Sequence, residues 1–113
     1  MWITHSYLGT NKNGVRCLFF LLFKDYIEAE KDFSTALTHE LERFARNMGN
    51  FCAVVQPFSG DAEVTRKHIL DKNWTDKQRE MAEDTPSLLV IDQDFNDFDP
   101  SIHSWCLIRL GKH

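Results

Sequence analysis

The densest group of side chains in this chain that could do chemistry is the run Asp92-Gln93-Asp94-Phe95-Asn96-Asp97-Phe98-Asp99. Asp92, Asp94 and Asn96 fall at alternate positions, and alternating carboxylate and carboxamide oxygens on a loop suit a hard divalent cation such as Ca2+ or Mg2+. These three match the first ligand positions of an EF-hand-type loop. Beyond them the match stops, because Asp97 stands where the turn glycine belongs and His103 where the bidentate Glu belongs. The competing reading is a solvated acidic loop whose Phe95 and Phe98 fold back onto a core. From Glu80 to Ile108 there are seven acidic residues and no Lys or Arg, against 13 basic residues elsewhere in the chain, so charge is segregated along the sequence.

Other catalytic or binding chemistries are poorly represented. The five histidines show no ligand spacing with one another or with a cysteine, which disfavours zinc. His39 lies beside Glu40 on the polar side of a helical pattern and reads as a solvated residue. Ser59-Gly60-Asp61 opens a helix where free N–H groups could hold a phosphate, but Asp61 and Glu63 already bring negative charge there, so capping is the better reading. Glycine-rich nucleotide loops and a Gly-x-Ser-x-Gly elbow are missing. Cys17, Cys52 and Cys106 are far apart, odd in number and set in apolar runs, as expected of buried thiols in a reducing compartment.

The elements that would hold these residues are those of one domain spanning residues 1–113, since domains cluster around 100–150 residues. With 42% hydrophobic residues the chain can fill a core, and 27% charged residues can solvate its outside. A formal net charge of −4 disfavours nucleic acid as a partner, and the basic residues from Arg43 to Arg79 are interspersed with acids rather than gathered. The longest apolar run, Cys17 to Phe23, is far below the ~20 residues that cross a bilayer, so no membrane partner and a cytoplasmic location are expected.

Val15 to Phe23 is apolar at successive positions and predicts a central strand covered on both faces. Trp2 to Leu8 is a weaker strand candidate, and Asn11-Lys12-Asn13-Gly14 offers a tight turn that would join the two as a hairpin. Phe33, Leu37, Leu41, Phe44, Ala45 and Met48 recur at helical spacing, with Asp32 as the expected cap and Gly49 as the expected stop. Phe51 to Val55 predicts a second buried strand. A helix capped by Asp61 with Val64, Ile69 and Leu70 inward should follow, then a break at Asn73-Trp74. Thr75-Asp76-Lys77-Gln78 has the spacing of a capping box and starts a helix to about Glu83. Ser87 to Ile91, opened by Pro86 and ended by Asp92, predicts a third core strand. The tail carries helix punctuation at Asp99-Pro100 and Gly111, yet its β-branched and aromatic residues favour a last strand within 101–110.

Thr85-Pro86 ahead of a core strand, together with this element order, resembles the threonine–cis-proline element of the thioredoxin-like superfamily. The resemblance implies an α/β fold with a central mixed sheet flanked by helices in βαβαββ order; a flavodoxin-like or Rossmann-like βαβαβα order is the alternative. In that superfamily a Cys-x-x-Cys lies between the first core strand and the first helix. This chain has Lys24-Asp25-Tyr26-Ile27-Glu28-Ala29-Glu30 there, so the resemblance implies a domain without the redox centre. By elimination the expected role is non-enzymatic: a protein-interaction or regulatory module, with a protein partner or self-association through a sheet edge or the acidic end, and no cofactor. A small enzyme or sensor using the 92–99 loop with Ca2+ or Mg2+ is the alternative.

Overall fold

A computed structural model describes residues 1–3, 17–49, 52–57, 59–92, 98–102 and 104–110, with the backbone alone at 59–62. Its five strands are β1 (Trp2–Ile3), β2 (Cys17–Leu22), β3 (Cys52–Val55), β4 (Ser87–Ile91) and β5 (Trp105–Arg109). Its three helices are α1 (Glu28–Asn47), α2 (Ser59–Leu70) and α3 (Asp76–Glu83). The strands form one mixed sheet in the order β1-β3-β2-β4-β5. β1 and β2 run parallel to β3, β4 runs antiparallel to β2, and β5 antiparallel to β4. The antiparallel β4 and the strand at 105–109 exclude the all-parallel, helix-ended alternative.

β2 is central, as its unbroken apolar run requires. Leu18, Phe20 and Leu22 point to one face and pack with Ala53, Val55, Ile69, Trp74, Leu89, Ile91 and Phe98. Leu21 points to the other and packs with Phe23, Val54, and Leu41 and Ala45 of α1, flanked by the half-buried Phe19. α1 thus covers the second face, while α2 and the segment around Trp74 cover the first. Trp74 sits edge-on to Phe98 at 5.6 Å and to Trp105 at 5.0 Å. Its indole N–H donates to the Ile69 carbonyl at 2.7 Å, which satisfies the one polar group of a buried aromatic.

Trp2 and Ile3 do not pair with β2, the pairing that the expected leading hairpin requires. β1 lies beyond β3 instead of beside β2, with the Val54 N–H donating to the Met1 carbonyl and the Gln56 N–H to the Ile3 carbonyl, both at 2.8 Å. A parallel pair needs a crossover of about a dozen residues or more, which the chain between Ile3 and Cys17 has, whereas a hairpin turn needs only a few. The proposed turn at Asn11–Gly14 lies outside the described residues.

Two helix starts also differ from expectation. α1 begins before Asp32, because the Ile27 carbonyl accepts from both the Glu30 and Lys31 N–H groups at 3.1 and 3.0 Å while Glu30 Oε1 accepts from the Lys24 N–H at 3.0 Å. Ile27 occupies the cap position with no side-chain cap bond, and Asp32, expected there, lies inside the helix. α2 begins at Ser59, which places Asp61 inside it, and Val64 is 55% exposed rather than inward. The other punctuation behaves as its chemistry predicts: Gly49 has φ +77°, and Thr75 and Gln78 make both bonds of a capping box.

The Thr85–Pro86 peptide is cis. Beside it, the hydroxyls of Thr85 and Ser87 are buried and have no hydrogen-bond partner among the described residues. An unpaired buried hydroxyl costs about 1–3 kcal/mol, so Ser87→Ala is expected to be neutral or to stabilise by up to ~1 kcal/mol. A urea titration showing a loss above ~1 kcal/mol would mean that Ser87 has a partner.

Candidate functional site

The acidic run begins where β4 ends. Asp92 is exposed, and its N–H donates to the Ser104 carbonyl at 2.7 Å, which extends the β4–β5 ladder by one pair. Asp94 and Asn96 lie outside the described residues. Asp99 is occupied locally: the Ser101 hydroxyl donates to its Oδ1 at 2.7 Å and the Ser101 N–H at 2.9 Å, which together hold its carboxyl below the usual range. Phe98 and Pro100 are both buried, so the end of the run is fastened to the domain. No group of three His, Cys, Asp or Glu side chains able to hold a metal occurs among the described residues, and Asp92 by itself is not a cation site.

At the C-terminal end of β2, opposite the cis proline, the chain has spent its polar groups on structure. The Lys24 N–H is bonded to Glu30, and the Lys24 ammonium donates to the Glu83 carbonyl at 3.1 Å. Glu63 accepts from the Asp25 N–H at 3.3 Å through Oε1 and from Arg66 through Oε2. Tyr26 projects 70% exposed from this turn. The described thiols are not here. Cys17 and Cys52 open β2 and β3 at the opposite end of the sheet.

The least finished surface is the β4–β5 half of the sheet on the α1 side. Strand alternation turns Ser87, Leu89 and Ile91 toward α2, so Leu88 and Val90 face the other way, directly across from Ile108 and Cys106 of β5. Among the described residues α1 packs over β1, β3 and β2, and from the β5 side only Leu110, just past the strand, joins its cluster. Ile108 is 47% exposed and Cys106 is exposed, while Phe44, edge-on to Phe19 at 5.4 Å, leaves 45% of its surface open along the α1 flank. Phe44 was expected on the covered side of its helix and Cys106 in the core. Both lie instead at the margin of the half that the described helices leave open, because one helix is too narrow to span five strands.

β5 is also an edge. Within the described sheet it pairs with β4 alone, and it contains no Pro or Lys, two usual devices that discourage pairing. The described part of the other edge, β1, is two residues long. Hydrogen bonds from the Asp92 N–H to Ser104 and from the Leu110 N–H to Pro86, at 2.7 and 2.9 Å, set the ladder phase. Even-numbered residues of β5 bond to β4, so Trp105, Leu107 and Arg109 turn their N–H and C=O groups to the free side. The strand runs from an acidic end, with Asp92 and Asp99 near Ser104, to Arg109, which pairs with Asp84 while keeping 58% of its side chain exposed.

The outward alternation at Cys106 and Ile108 was available in the sequence once β5 was assigned as a strand. What the sequence lacked was the reach of α1. No described helix is long and apolar enough to cross a membrane. No known protein family, curated protein or solved structure matches this chain.

Proposed function

We propose that this chain is a non-enzymatic protein-interaction module of the cytoplasm, thioredoxin-like in arrangement and without that superfamily's redox centre. The thioredoxin-like reading is supported by the β1-β3-β2-β4-β5 order, the antiparallel β4 and the cis proline that opens it. The interaction reading rests on one observation: among the described residues, β5 pairs with β4 alone, beside an apolar half-face that the described helices leave open.

The occupant that fits this edge is β5 of a second copy, antiparallel and related by a two-fold axis at Leu107. That pairing sets Trp105 opposite Arg109 of the partner subunit, so the acidic end of each strand meets the basic end of the other. Cys106 then lies against Ile108 of the partner subunit, and the two open half-faces join between the two α1 helices. A two-fold interface uses the same patch on both subunits, and a strand with opposite charges at its ends is self-complementary only when antiparallel.

Light scattering during size exclusion tests this. The wild type is expected to elute as a dimer at ~100 µM, where even a micromolar dissociation constant leaves mostly dimer. Ile108→Asp, which puts two carboxylates into the joined faces, is expected to be a folded monomer. A wild type that is monomeric at that concentration, or an Ile108→Asp dimer, would refute self-association through β5.

A further inference from the structure

Cys17 and Cys52 are register partners on the adjacent parallel strands β2 and β3. Register partners project to the same face, and neighbouring strands lie ~4.8 Å apart, inside the ~4.4–6.8 Å span of Cα atoms that a disulfide bridges. Both thiols are half-buried, so reagent can reach them. They are separated by β4 from Cys106 on β5, and they lie at the far end of the sheet from the cis proline.

We propose that Cys17 and Cys52 form a dithiol site that a low-molecular-weight disulfide, of the glutathione disulfide class, oxidises to an intramolecular disulfide. One cysteine loses its proton and attacks a sulfur of the small disulfide, breaking its S–S bond and releasing one thiol. The second then loses its proton and attacks the protein sulfur of the mixed disulfide, releasing the second thiol. The two protein thiols are oxidised, the small disulfide is reduced to two thiols, and the two protons leave with them. Burial, then the Cys52 thiol and Asp92, push the Cys17 thiol up to about 11, so in the resting protein this partner is held as the thiol. The bond would close the chain from β2 through the whole of α1 to β3, tying central β2 to its neighbour at the end where the Met1 amine donates to the Cys52 carbonyl at 2.8 Å.

The full-length Cys106→Ser variant isolates the pair. After equilibration with excess glutathione disulfide at pH 8, intact mass is expected to fall by two hydrogens with no adduct. Peptide mapping should link Cys17 to Cys52, the free-thiol count should fall to zero, and the melting temperature should rise. Adding Cys17→Ser or Cys52→Ser is expected to leave a stable mixed disulfide, or an unreacted thiol, with no loss of two hydrogens. Two glutathione adducts on one chain, a disulfide between chains, or two free thiols persisting in folded protein would each overturn the proposal.

Discussion

Phe20→Ala is expected to destabilise the domain by ~3–5 kcal/mol and its neighbour Leu21→Ala by ~2–5 kcal/mol, as large-to-small changes at filled sites do. The two side chains leave opposite faces of β2. Phe20, 1% exposed, packs among Leu89, Ile91 and Ile69, and Leu21 packs beneath Leu41 and Ala45 of α1. Domains of this size are stable by about 5–15 kcal/mol, so either change alone removes a large fraction. Chemical denaturation measures both. A neutral result at Leu21 would mean that α1 does not seal its face, and a neutral result at Phe20 would undo the packing of α2.

Trp74→Ala is expected to cost ~3–5 kcal/mol, although Trp74 lies between helices and in no regular element. It fills the space between α2, the sheet and the segment after β4, touching Phe98 and Trp105 and fastening its indole N–H to the Ile69 carbonyl. Trp74→Phe keeps most of the ring contacts and gives up the hydrogen bond, worth about 1 kcal/mol. Thermal unfolding of the pair therefore separates filling from fastening. Equal losses for Ala and Phe would show that the hydrogen bond, not the volume, holds the segment.

The parts of this fold that could be read from sequence are those where a local pattern decides the outcome. Ser87–Ile91 is bounded by a proline and a carboxylate and emerges as β4 with those bounds. The capping box at Thr75 uses two side chains three residues apart, and the αL glycine at position 49 ends a helix wherever it stands. The misread parts depend on what lies across the sheet. Trp2 and Ile3 pair with β3 because of a backbone ladder that no residue near them announces. Phe44 and Cys106 look like core residues in their own windows, yet Phe44 is 45% exposed and Cys106 is exposed, because the α1 cluster centres on β1, β3 and β2. Cys17 and Cys52 are 35 positions apart, and only the register of two strands puts them side by side. Of the three proposed cation ligands, Asp92 is exposed at the end of β4, while Asp94 and Asn96 lie outside the described residues.

Amide hydrogen exchange along β5 tests the interaction reading most directly, since the ladder phase separates inward from outward N–H groups. In dilute protein, or in Ile108→Asp, the amides of Trp105, Leu107 and Arg109 should exchange at rates close to those of solvent-facing amides. Those of Cys106 and Ile108, bonded to β4, should be slow. Raising the wild-type concentration through the dimer range should slow the three outward amides together and leave the inward pair nearly unchanged. Outward amides that stay fast while light scattering reports a dimer would place the interface elsewhere and contradict pairing through β5.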